Sequence, residues 1–291
     1  MARLLSLRRR RSALPYLLLA PGLLWLGVFY LIPALNQVYV SLQDGTLEQG
    51  YLFDWNWSSY GDALADYREQ FGRSIGYAAT ATAIAFVISF PLAYFIAFKA
   101  GRLKSLMLFL IILPFFTSYL VRTIAWQTIL ADDSTVVGAA KTLGLLDGDG
   151  RLLATRTAVI AGITYNFLPF MALPLYVSLE KIDRRLIEAA TDLYASRGVA
   201  FRRVTLPLAL PGIFAGSLLT FIPAVGDFIN AQLLGSSRQY MIGNVIQSRF
   251  LVVQDYPVAA ALSFLLMAAL LVAVLLYARA LGARNLTESA V

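Results

Sequence analysis

Six stretches of this chain run for 17 to 32 residues without one charged side chain. They are Ser12 to Gln43, Ser74 to Phe98, Ser105 to Val121, Thr157 to Leu179, Val204 to Gly226 and Tyr256 to Ala278. An α-helix rises ~1.5 Å per residue, so ~20 apolar residues match a ~30 Å hydrocarbon core. The shortest run continues past Arg122 to Ala131 and reads as a span with one cation inside it. Helices of a soluble bundle keep a polar face, and these runs leave none. The fold expected is all-α and integral to the membrane, with six transmembrane helices. Only 14% of the 291 residues are charged and 59% are hydrophobic, too little polar surface for a soluble domain.

Arg8 to Arg11 precede the first run, as basic residues precede the apolar core of a secretory signal. A signal's core is only ~7–15 residues, so the 32-residue run reads as an uncleaved first helix. Basic residues then set the orientation. Placing both termini in the cytoplasm puts 16 of the 24 Lys and Arg on that side, with seven outside and Arg122 within a span. Cytoplasmic loops carry such an excess, which gives an N-in, C-in topology. The same bias accounts for the net charge of +7 without any call for nucleic acid. The expected division is a basic cytoplasmic tail (1–11), a six-helix domain (12–281) with a cytoplasmic loop at 181–207, and a second tail (282–291).

Several chemistries are excluded. The chain has no Cys and no His, which removes disulfides, thiol and imidazole catalysis, and the usual zinc ligands. No G-x-x-x-x-G-K-[ST] loop is present to cradle ATP phosphates. No repeat of 20–50 residues and no inverted repeat stands out. The runs contain Pro15, Pro21, Pro33, Pro91, Pro114, Pro169, Pro174 and Pro223, which kink helices and free carbonyls, as suits a protein that changes shape. Gly212-x-x-x-Gly216 permits a close helix contact and reads as packing. Tyr51, Trp55, Trp57 and Tyr60 in the first outer loop read as interfacial anchors, with a docking surface for an external partner as the alternative.

The longest polar connection, Glu180 to Pro207, is amphipathic and interrupted near its middle. Asp183 is a candidate N-cap for a helix to about Leu193, and Ser196 for a second short helix ending before Pro207. Leu186, Ile187, Ala190 and Leu193 share one face of the first helix. On the residues alone, this is an amphipathic loop lying on the membrane.

Glu188-Ala189-Ala190 with Asp192-Leu193 following, then Val204-x-Leu206-Pro207 and Pro211-Gly212, resembles the EAA loop of ABC importer permeases. The resemblance implies the type I importer permease (MetI-like) fold. It implies that the loop is a coupling helix seated in a groove of a cytoplasmic ABC ATPase dimer. Glu188 would pair there with a basic residue, Ala189 and Ala190 would line the contact, and Asp192, Tyr194, Val204, Leu206 and Pro207 would complete it. The family pattern has Gly where this chain has Tyr194. A left-handed Tyr costs ~1–2 kcal/mol, so either the turn is built differently or Tyr194 takes an ordinary conformation and packs on the ATPase. ATP and Mg would be used by the partner ATPase, with no cofactor bound by this chain and no metal site.

Three further segments, Leu113 to Trp126, Leu168 to Tyr176 and Ile222 to Ser248, are similar to spermidine/putrescine permeases, most of all the B-type subunit. That resemblance implies a second, C-type permease subunit, an extracytoplasmic substrate-binding protein and a bacterial inner-membrane location. A polyamine path calls for carboxylates and aromatic faces. The candidates are Asp227, Arg122, Trp126, Tyr165 and Asp255. Asp227 is either a pathway group or a boundary residue that meets water. Arg122 either pairs with Asp227 as a gate, joins a structural hydrogen-bond network, or snorkels. Related permeases carry thiamine, ferric iron, phosphonates or opines, and a secondary transporter is a more distant alternative.

Overall fold

The computed structural model describes residues 16–280. Arg3, Arg8 to Arg11, Arg284 and the tails 1–11 and 282–291 lie outside those residues. Five helices are long and apolar enough to span: α1 (Tyr16–Ser41), α3 (Arg68–Phe98), α7 (Arg156–Glu180), α9 (Arg197–Val225) and α12 (Tyr256–Ala280). Between α1 and α3 lie a hairpin, β1 (Gln43–Thr46) and β2 (Gly50–Phe53), and α2 (Ser58–Asp66).

The sixth membrane segment is broken. Helix α4 (Gly101–Phe116) and α5 (Tyr119–Leu130) meet at a bend of 94°. The apolar run that reads as one span with Arg122 inside it is thus two helices joined at a bend. Pro114 tightens the end of α4 into a 3₁₀ turn, and Thr117 then goes extended (φ −104°, ψ 146°). The Thr117 backbone N–H and hydroxyl both donate to the Pro114 carbonyl, at 3.2 and 2.7 Å, satisfying an end that regular helix would have continued. The 16 residues of α4 rise about 24 Å. Lys104 at its start pairs with Glu180 at the cytoplasmic end of α7, while Tyr119, just past the bend, bonds Asp227 at the outer end of α9.

Outside α5 come α6 (Thr135–Thr142), then α8 (Arg184–Asp192) in the cytoplasmic loop, and α10 (Ile229–Leu234) and α11 (Ile242–Leu251) in the last outer connection. Helices α3, α7 and α9 form the core. Helix α3 brings buried alanines at 78, 81, 85, 93 and 97, while α7 buries Ile163, Phe167, Met171, Leu175 and Leu179 at intervals of four. Small residues on one helix admit the large ones of the other, the packing that membrane interiors favour. A Cβ on Gly216 would lie 3.0 Å from the Met171 carbonyl, and one on Gly212 would strike Ser178. The glycine pair is therefore a packing seam against α7, as its spacing suggests. Helix α1 stands apart, with only its outer half against α12 and its apolar side chains exposed.

Candidate functional site

Two constellations sit at opposite ends of α9. The cytoplasmic one is the loop from Lys181 to Pro207. The Asp183 carboxylate accepts from the Arg185 backbone N–H at 3.0 Å and starts α8 as its cap. Ser196 accepts from the Val199 N–H at 3.4 Å and starts α9. The second helix does not end before Pro207, as the sequence suggests. A π turn over Phe201–Thr205 carries it on to Val225 as one 29-residue helix. The Leu206 N–H reaches back to the Phe201 carbonyl, so the ladder shifts register before the proline, which has no N–H to contribute.

Three side chains hold this loop against the inner end of α3. Ile187 packs on the core, Phe201 meets Phe90 edge-on with centroids 5.7 Å apart, and Arg184 donates to the Ala97 carbonyl at 3.2 Å. Leu206 packs on the same core and Val204 is half-buried, so both support the loop from inside. The predicted apolar face thus divides: Ile187 and Ala190 are half-buried, while Leu186 and Leu193 are exposed. Glu188, Ala189, Asp192, Leu193, Tyr194 and Pro207 all face outward. Among the described residues Glu188 has no ion pair.

Tyr194 corrects both alternatives posed for it. It takes the left-handed conformation, φ +62°, that its side chain disfavours. The turn is a Schellman motif: the Ala195 N–H donates to the Ala190 carbonyl at 3.0 Å and the Tyr194 N–H to the Thr191 carbonyl at 3.0 Å. Two satisfied carbonyls offset a strain of ~1–2 kcal/mol. The ring itself is 99% exposed and Leu193 beside it 81%.

The outer constellation is a buried polar cluster. Asp227 is only 7% exposed, so it is not a boundary residue open to water. Its carboxylate accepts from the Tyr119 hydroxyl at 2.5 Å, the Asn230 side-chain amide at 2.5 Å and the Asn230 backbone N–H at 3.0 Å. Asn166 on α7 extends the cluster, donating to Thr123 at 3.3 Å and to the Asn230 side-chain oxygen at 3.2 Å. The cluster ties α5, α7 and the α9–α10 junction together. Its members Tyr119, Thr123, Asn166 and Asn230 escaped the sequence reading, which counted charges. An amide inside a charge-free run is the signal that marks one of them, Asn166 between Tyr165 and Phe167.

Arg122 does not pair with Asp227. Its guanidinium lies over Phe115 at 5.4 Å and Tyr119 at 5.7 Å, with Nε and Nη1 buried and without acceptors among the described residues. Tyr119 stands between the two charges, its hydroxyl on Asp227 and its ring facing Arg122. Trp126 and Tyr165 meet edge-to-face with centroids 5.5 Å apart beside this cluster, on α5 and α7. Asp255 belongs elsewhere: it pairs with Arg249 at 3.2 Å, and Arg249 in turn donates to Tyr67 at 2.9 Å.

Comparison with known proteins adds three findings. Residues 89–284 match the family described as binding-protein-dependent transport system inner membrane component. The spermidine/putrescine transport system permease protein PotB of Haemophilus influenzae is 37% identical over 88% of this chain and 90% of its own length. Its Escherichia coli K12 counterpart is 36% identical over 88% and 94%, and the inner membrane ABC transporter permease protein YdcU of the same strain 32% over 92% and 90%. Among solved structures, a bacterial alginate ABC transporter in complex with its pentasaccharide-bound periplasmic protein superposes with a TM-score of 0.71 at 20% identity, covering 96% of each chain.

Proposed function

Given that the chain belongs to the binding-protein-dependent transport system inner membrane components, as a non-catalytic, multi-pass permease subunit of an ABC importer, we propose that its cargo is a polyamine and that Glu188 marks the docking point of its ATPase. The partners in this reading are an ATPase dimer, a second permease of the C type and a binding protein outside the membrane.

One observation supports the mechanism above the others: a single helix, α9, begins in the cytoplasmic loop at Arg197 and ends two residues before Asp227. Twenty-nine residues span about 43 Å. Closure of the ATPase moves the loop, and α9, continuous from that loop to the outer cluster, carries the motion outward. The Tyr119–Asp227 bond, which joins the far end of α9 to the bent segment α5, is then the contact that strains. Two packings that differ by a few such bonds are what a mechanical partner can shift.

For the cargo, the supporting facts are the two PotB relatives and the chemistry of the outer cluster. A carboxylate among Tyr119, Trp126, Tyr165 and Phe167 combines the charge and ring faces that an extended polycation needs. The test is uptake of radiolabelled spermidine and putrescine by proteoliposomes holding the chain, its partner permease, ATPase and binding protein. ATP-dependent, vanadate-sensitive uptake is expected. Uptake of a different solute with none of either polyamine keeps the importer and removes the polyamine; uptake without ATP removes the coupling.

A further inference from the structure

We propose that a groove between the outer ends of α3 and α7 binds one anionic phospholipid, with its phosphate at Arg156 and Tyr77 and one acyl chain along Gly72, Gly76 and Thr80. The inference is independent of cargo and ATPase, because none of these residues belongs to the two constellations at the ends of α9.

The groove begins as a gap in the packing. Gly72, Gly76 and Thr80 recur at intervals of four, so they form one stripe on α3 about 12 Å long. All three are exposed, and a Cβ on either glycine would meet nothing within 4 Å. The seam at Gly212 and Gly216 is the reverse case, because a Cβ there crowds α7. The chain therefore uses one small-residue stripe for its own packing and leaves the other open. Beside the open stripe stand Arg156 and Ile160, one turn apart on α7, and with Glu69, Arg73 and Tyr77 they border a cavity of about 510 Å³.

The polar end describes the occupant. Arg156 starts α7 and Arg73 lies in the second turn of α3, so both sit at the outer ends of their helices. Arg73 is engaged: it pairs with Glu69 and donates to the Tyr240 carbonyl at 2.9 Å. Glu69 is the one carboxylate that lines the groove, and Arg68 and Asp66, nearest to it in sequence, do not. Two cations against one anion leave a single positive charge, and it falls to Arg156, which is exposed and has no ion pair among the described residues. Tyr77 is only 9% exposed and packed in the core, yet it lines the groove with its hydroxyl unpartnered among the described residues. The site thus offers free donors and positive charge at headgroup depth, with an open stripe running below them into the hydrocarbon. Arginine holds phosphate oxygens through paired N–H donors, and basic pockets between transmembrane helices take lipid headgroups. The same charge disfavours a polyamine. A helix of the second permease fits the stripe as well, but its backbone groups are bonded within the helix, so it leaves Arg156 and Tyr77 unmet. A phosphate meets both.

The probe is phosphatidylglycerol, titrated into the delipidated importer with its permease pair and ATPase intact and read by native mass spectrometry. At limiting lipid the wild type should hold one copy more than Arg156→Gln, and Arg156→Lys should recover part of the loss. That copy should bind about tenfold more tightly than phosphatidylcholine, whose headgroup has no net charge. Gly76→Leu fills the stripe without touching a charge, and it should lose the same copy while the permease pair stays whole. Equal lipid retention by Arg156→Gln and wild type overturns the proposal. Loss of the second permease from Gly76→Leu also overturns it, since the stripe would then be a helix contact. Arg156 is exposed, so its variants assemble and decide the question whatever Gly76→Leu does. Displacement of the lipid by glycerol phosphate at equal concentration overturns it too, because the groove would then take a free anion.

Discussion

The two ends of α9 solve opposite problems. At the outer end, Asp227 is buried and each of its bonds is made inside the chain, to Tyr119 and Asn230. At the cytoplasmic end, among the described residues, Glu188 is exposed without an ion pair and the left-handed Tyr194 has its ring almost fully exposed. A buried carboxylate has to be satisfied at home, because desolvation without partners costs several kcal/mol. An exposed loop is under no such constraint, so it can hold its groups ready for another surface. The first region is bonded within the fold; the second, in the reading proposed above, is a fitting that a partner completes.

The largest expected effect breaks the buried end. Asp227→Ala leaves the Tyr119 hydroxyl and the Asn230 backbone N–H without their acceptor, and the Asn230 amide with only the Tyr119 oxygen at 2.6 Å and no carboxylate. Each unsatisfied buried group costs about 1–3 kcal/mol, so the variant should melt well below wild type in detergent and lose uptake. Asp227→Asn keeps an acceptor oxygen and should recover most of the melting temperature. Polyamine uptake at low substrate should stay depressed in that variant, and normal uptake there would remove Asp227 from the pathway.

Glu188→Ala is the reverse case. Exposed substitutions of this kind usually change stability by less than about 0.5 kcal/mol, so the melting temperature should hold. ATP-driven uptake should fall about tenfold or more, since truncating one member of an interfacial charge pair costs about 2–5 kcal/mol of association. Coupled uptake at the wild-type level, with normal expression, would contradict the contrast between the two ends.

Asn166→Ala falls between. It removes the donor shared by Thr123 and Asn230 but leaves the Asp227 carboxylate fully bonded. About 1–2 kcal/mol of stability should go, read as a smaller fall in melting temperature than Asp227→Ala gives. An equal fall would mean that the cluster acts as one unit.

The same contrast explains what was legible in the sequence. The caps Asp183 and Ser196 lie two and three residues from the N–H groups they accept, so local spacing displays them. Apart from the Asp227–Asn230 contact, three residues apart, the cluster bonds join residues 43, 64 and 108 positions apart, and no local pattern brings those together. The spans were visible because charge is expensive in hydrocarbon. The 94° break was not, because Leu113 to Val121 is uncharged on both sides of it and Pro114 looks no different from Pro91, Pro169 and Pro174, which stay inside continuous helices. Tyr194 was visible as an oddity, and its conformation was not. The Schellman bonds that hold it left-handed depend on carbonyl geometry rather than on the residue's own preference.

The smallest effects grade the loop's own caps. An N-cap truncated to alanine costs about 0.5–2 kcal/mol. Asp183 accepts at 3.0 Å in a charge-assisted bond, whereas Ser196 accepts at 3.4 Å, near the limit of a hydrogen bond, and both sites are exposed. Water can replace either acceptor, so Ser196→Ala should cost about 0.5 kcal/mol and Asp183→Ala about 1 kcal/mol. Amide hydrogen exchange at Arg185 and Val199 measures both directly. Faster exchange confined to the first turn of each helix, with uptake reduced less than in Glu188→Ala, is expected if the loop is a fitting held in place by local bonds. Exchange that spreads along α9 to the buried Ala209 would show instead that the caps hold the long helix, and the two ends would then be one device.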